Sequence, residues 1–144
     1  MIYTDTPQIS LQSFLCLDIG SKKTGIASNF ANNSIAFPIE TIPTEQILEK
    51  ITQTMQKHKF SFVIVGIPLA YPEGDSFHFI TNFVEFLQER MPFMNFIFWD
   101  ETDSSNAVRK SYKFGRKGFS KKFHENYDMK SAGLILSDFL SLYW

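Results

Sequence analysis

The segment Phe60-Ser-Phe-Val-Ile-Val-Gly66 limits this chain's fold more than any other. It is continuous, apolar and rich in β-branched residues, which suits a central strand covered on both faces. Layers are therefore expected on each side of a sheet. The flanking pattern is consistent with that. Phe14-Leu15-Cys16-Leu17 reads as a buried strand entering a Gly-containing hairpin at Asp18–Lys23, with Thr24-Gly25-Ile26-Ala27 returning. Ser34 to Ile42 alternates well enough for a third strand, and Pro38 places it at a sheet edge.

Thr44 offers an N-cap to a helix with Ile47, Leu48, Ile51 and Met55 on one face. After the central strand, Asp75 is the expected cap of a helix carrying Ile80, Phe83, Val84 and Leu87. Asn95 to Trp99 forms a further strand ending in Asp100-Glu101. Ser104 or Ser105 then caps a helix to about Phe114. A last helix starts near Asn126, with Ala132, Leu136, Phe139, Leu140 and Tyr143 on its buried face. Three meandering strands followed by alternating helix and strand predict an α/β sandwich: a mixed five-stranded sheet flanked by helices on both faces.

A chain of 144 residues with 44% hydrophobic content and a net charge of −1 fits one globular domain with a real core. We expect a single domain over residues 14–144 behind a flexible N-terminal extension, 1–13. No apolar stretch approaches a membrane span, so an integral membrane protein is excluded. Residues 1–13 lack the basic start and apolar middle of a signal peptide. Cys16 is the single cysteine and falls inside a strand, so it reads as a core residue, and a cytoplasmic setting is expected.

Two strands end in acids. Asp18 closes the first, and Asp100-Glu101 close the last. An acid at the end of a core strand is costly without a partner, although Asp also caps turns for purely local reasons. Adjacent strand residues face opposite ways, so at most one of Asp100 and Glu101 can join Asp18. Asp128 lies one turn before Ala132, on the core-facing side of the final helix. Three carboxylates converging from separate elements repel unless a divalent cation lies among them. Oxygen-only ligands favour Mg²⁺ or Mn²⁺ over zinc.

With those positions in hand, the chain resembles the YqgF/RuvX family of Holliday-junction resolvases and pre-16S rRNA nucleases, which have a ribonuclease-H-like fold. The matching motifs are Leu17-Asp18-Ile19-Gly20-Ser21-Lys22-Lys23-Thr24-Gly25-Ile26-Ala27, Val65-Gly66-Ile67-Pro68-Leu69 with Gly74, Trp99-Asp100-Glu101 with Ser104, Ser105 and Ala107, and Tyr127-Asp128-Met129-Lys130-Ser131-Ala132. The resemblance implies that Asp18, Glu101 and Asp128 are the catalytic and metal-binding acids. It implies phosphodiester hydrolysis without a covalent intermediate, assisted by two divalent ions about 4 Å apart. It also favours processing of the 5′ end of pre-16S rRNA in ribosome biogenesis, with branched DNA as the alternative substrate. This sequence departs from the family pattern in two places. Thr102-Asp103 stand where Arg and an apolar residue are usual, and Ser131 stands where Ala is usual.

Between Arg109 and Lys122 the chain carries Arg109, Lys110, Lys113, Arg116, Lys117, Lys121 and Lys122 with no acid. That is half of its 14 Lys and Arg, so the near-neutral total hides a marked asymmetry. Tyr112, Phe114 and Phe119 are interleaved, as on surfaces that pair phosphates with base stacking. The plain alternative is a solvated helix face. Beside a carboxylate site, contact with nucleic acid is the expected role, shared with Lys22, Lys23 and Lys130. Two other readings compete. The Asp18–Gly25 hairpin also resembles the phosphate-binding hairpin of actin/hexokinase-like ATPases, but these need two lobes. A non-catalytic RNA- or ribosome-associated module of the same fold would explain the missing Arg at Thr102. Oligomeric state is open.

Overall fold

The computed structural model describes residues 1–5, 13–30, 34–60, 62–101 and 127–143, with side chains in the final stretch from residue 131 onward. In chain order the elements are β1 (Ile2–Tyr3), β2 (Phe14–Ile19), β3 (Lys23–Ser28), β4 (Phe37–Pro43), a 3₁₀ turn (Thr44–Gln46), α1 (Ile47–Lys57), β5 (Phe62–Ile67), α2 (Asp75–Arg90), β6 (Asn95–Asp100) and α3 (Tyr127–Tyr143). The strands form one six-stranded sheet in the order β1-β6-β5-β2-β3-β4. β2, β3 and β4 are antiparallel neighbours, whereas β2–β5, β5–β6 and β1–β6 pair in parallel. The α/β expectation is met, with one more strand than the sequence suggested.

Period-two alternation divides the core into two layers. Leu15, Leu17 and Ile19 of β2 join Val63, Val65 and Ile67 of β5 and Phe96 of β6 under Ile47 and Ile51 of α1 and Ile80, Val84 and Leu87 of α2. Phe14 and Cys16 join Ile64, Ile97 and Ala27 beneath Ala132, Ile135, Leu136, Phe139 and Leu140 of α3. β5 is buried almost throughout, in keeping with its apolar sequence.

The extra strand is the two-residue β1. Phe96 N–H donates to Met1 O at 2.7 Å, and the Met1 amine donates to Met94 O at 2.7 Å. The chain's first residues are thus held on the edge of β6 where a loose extension was expected; residues 6–12 lie outside the described set. The two anticipated caps also differ. Thr44 does not cap α1: its hydroxyl donates to Gly20 O at 2.6 Å and pairs with the Thr24 hydroxyl at 2.9 Å, tying α1's entry to the β2–β3 turn. α2 begins after Gly74, and Asp75 is its first residue, favourable there through the helix dipole without a side-chain cap bond. The helix expected after Ser104 or Ser105 lies outside the described residues.

Candidate active site

Both acid-bearing strands end at the same edge of the sheet. On β2, Phe14, Cys16 and Asp18 share the face covered by α3. On β6, Ile97, Trp99 and the following Glu101 share that face. Glu101 N–H donates to Ile67 O at 3.0 Å, which extends the β5–β6 ladder by one bond and fixes the residue's direction. Asp100 faces the other way, and its Oδ1 accepts the Leu69 N–H at 3.3 Å. The structure therefore chooses Glu101 over Asp100.

The carboxyl groups of Asp18 and Glu101 are hydrogen-bonded to each other. Such a bond needs one proton between the two. Burial raises the Glu101 carboxyl above the ordinary glutamate range; the bond with Asp18 draws it partly back, and the nearby Asp100 charge raises it again. Two carboxyls in contact, one of them partly desolvated, can hold a hard cation.

Gly66 makes room for this contact. A Cβ built on it would stand 2.5 Å from Ile135 Cδ1 and 3.1 Å from Glu101 Oε2. The glycine at the end of the central strand thus admits helix α3 from above and the Glu101 carboxylate from the side. Gly66 falls within the Val65–Leu69 motif, where its neighbours in sequence assign it no role. A glycine closing an otherwise β-branched run was the available signal.

On the opposite side of β2, Asp18 pairs with Gly25, and Gly25 with Thr41. The turn beyond Asp18 is closed by Gly20 N–H donating to Lys23 O at 2.9 Å, and a Cβ at Gly20 would lie 2.6 Å from that oxygen. Lys22 and Lys23 are exposed on this turn, at the same end of the sheet as the acids. Beneath the acids, Cys16 is fully buried, and its thiol is raised by burial, then by the Asp18 and Glu101 charges.

Asp128 occupies the first turn of α3 by its backbone, one turn ahead of buried Ala132; its side chain lies outside the described residues, as does that of Lys130. Among the described residues no group of three or more acidic, His or Cys side chains converges, so the site there consists of Asp18 and Glu101. Thr102, Asp103, Arg109, Lys110, Lys113, Arg116, Lys117, Lys121 and Lys122 fall outside the described residues.

A mixed sheet with helices on both faces and carboxyls from two strands meeting beneath a third-layer helix defines an α/β protein of the ribonuclease-H-like class. The RuvX family, Holliday junction resolvase, matches residues 12–142, and the chain belongs to it. Two relatives bear the name "Putative pre-16S rRNA nuclease". One, from Sulfurihydrogenibium sp. (strain YO3AOP1), is 32% identical over 134 residues, 90% of each chain. The other, from Phocaeicola vulgatus, is 30% identical over 135 residues, 90% of this chain and 96% of its own. Among solved structures, Archaeoglobus fulgidus Pelota is similar with a TM-score of 0.44 at 16% identity; this chain spans 35% of its length.

Proposed function

We propose that this chain is a nuclease that hydrolyses phosphodiester bonds with Mg²⁺ or Mn²⁺, and that its substrate is pre-16S rRNA during ribosome biogenesis. The carrying observation is the Asp18–Glu101 contact. Two carboxyls are held together at the sheet edge, in a space that Gly66 keeps open. The donor set fits a hard divalent cation: it is all oxygen, anionic and preorganised on strand ends. Asp18 and Glu101 would hold the ion, with Asp128 contributing from the first turn of α3. The ion would supply Lewis-acid stabilisation of charge on a scissile phosphate and assist activation of water.

The protein's own part is positioning. β2 and β6 fix the two carboxylates through their ladders, and α3 covers the apolar residues that precede them on the same face. Lys22 and Lys23, exposed on the adjacent turn, would meet phosphates of the incoming strand. The seven cations between Arg109 and Lys122 would add to the attraction for a phosphate backbone. The names carried by the relatives favour rRNA. The family description favours branched DNA as the second reading.

The test is cleavage of an end-labelled pre-16S rRNA fragment and a four-way DNA junction, side by side, with and without Mn²⁺. Cleavage of the RNA alone, lost without the ion and in Asp18→Asn, is the expected result. Preference for the junction would reassign the substrate. Folded Asp18→Asn protein that cleaves at the wild-type rate would end the proposal.

A further inference from the structure

We infer that Ser131 is a positioning residue for Glu101, its hydroxyl serving as hydrogen-bond donor to that carboxylate in the cation-loaded protein. The inference rests on the metal-dependent reading above. Ser131 is fully buried, and among the described residues its Oγ has no hydrogen-bond partner. Buried hydroxyls are nearly always paired, because burial without a partner forfeits the bonds made to water. An alanine would fill the same place with no such penalty. The hydroxyl therefore calls for an occupant or a second conformational role.

Its placement names the partner. α3 crosses the sheet: Phe139 packs edge-on against Phe14, at the start of β2, with ring centroids 5.0 Å apart, Phe139 and Tyr143 meet Trp99 of β6, and Gly133 lies against Pro38 of β4. One turn before Phe139 on α3, Ile135 reaches the Gly66 position at the far end of β5. From Phe139 to Ile135 the helix thus passes from the start of β2 to the end of β5, the end at which Asp18 and Glu101 meet. Ser131 is the next turn, four residues before Ile135 and on the same flank of the helix. That flank also approaches Glu101, since Ile135 Cδ1 and Glu101 Oε2 crowd the same missing Cβ of Gly66. The other flank holds Gly133 against Pro38 of β4. Thr41, whose Oγ1 is likewise buried and without a partner among the described residues, lies on that β4 side opposite Gly25, away from Glu101. Outer residues that orient metal-binding carboxylates commonly change cation affinity 10- to 100-fold when removed.

The experiment measures Mn²⁺ binding by titration calorimetry, and thermal unfolding of the metal-free protein, for wild type, Ser131→Ala, Ser131→Thr and Asp18→Asn. Ser131→Ala should bind Mn²⁺ roughly 10-fold more weakly while its metal-free Tm is unchanged or higher. Ser131→Thr, which keeps the hydroxyl, should stay near wild type. Wild-type affinity in Ser131→Ala would overturn the inference. So would a fall in metal-free Tm with no rescue by Ser131→Thr, since that marks a purely structural hydroxyl. If wild type and Asp18→Asn both fail to bind Mn²⁺, the metal-dependent reading itself has failed, and this inference falls with it.

Discussion

Glu101 Oε2 lies 3.1 Å from the point where a Cβ on Gly66 would stand, so the absence of a side chain on β5 is a condition of the acid pair. Gly66→Ala should displace the carboxylate by a few tenths of an ångström and move Ile135. The Ile135 methyl is the end of a flexible side chain and can yield at modest cost, about 1–3 kcal/mol. Cation affinity should drop more sharply than the Tm. Calorimetry and thermal unfolding on the same preparation would check this; equal affinity in the alanine variant would show that Glu101 does not depend on that space.

The raised Glu101 carboxyl makes a prediction about pH. The folded protein keeps this proton at pH values where the unfolded chain has already released it. Its stabilising contribution is thus complete below the unfolded glutamate range and is lost as pH rises through the folded value. Metal-free protein should lose stability on going from acid toward neutral pH, and Glu101→Gln should flatten that slope. Denaturant unfolding at a series of pH values in EDTA would measure it, and adding Mn²⁺ at neutral pH should restore stability to wild type but not to the variant.

The basic stretch is expected to dock nucleic-acid backbone without regard to sequence. Replacing Lys113, Arg116 and Lys117 with Glu should weaken RNA and DNA binding alike. Each lost phosphate contact should flatten log affinity against log salt by roughly 0.7 to 0.9. A salt slope equal to wild type in filter binding would leave these residues as a solvated surface.

Thr102 stands where the family pattern has Arg. A guanidinium there could grip a phosphate bidentately and offset developing charge, which one neutral hydroxyl cannot do. Thr102→Arg should raise the single-turnover cleavage rate, and most of the gain should vanish when Asp18→Asn is added. A rate that stays level or falls would favour the non-catalytic reading of the chain.

Much of this architecture was legible in the residues. The buried β5 run, the alternation of β2 and the spacing of α1, α2 and α3 follow from periodicity, since one face or two must leave water. The choice of Glu101 over Asp100 was legible as a constraint, because neighbours on a strand oppose each other, but only the Asp18 contact decides it. Other features depend on tertiary partners. Thr44 has cap chemistry, yet its hydroxyl bonds to Gly20 and Thr24 across the sheet. Strand β1 is too short for a pattern and exists through its bonds to Met94 and Phe96. Gly66 has meaning only once α3 and Glu101 crowd it from two directions.

Cys16 lies two residues before Asp18 on the same face of β2, fully buried, with a thiol pushed up by that burial and then by the charges above it. It is the only cysteine in the sequence, so every alkylation event reports one address at the centre of the sheet. A maleimide can reach it only when β2 parts from its neighbours or α3 lifts. The labelling rate of unmodified protein is therefore a clock for exposure of the floor beneath the acids, needing no engineered probe. Slower labelling with Mn²⁺ present would time how firmly an ion clamps those strands together.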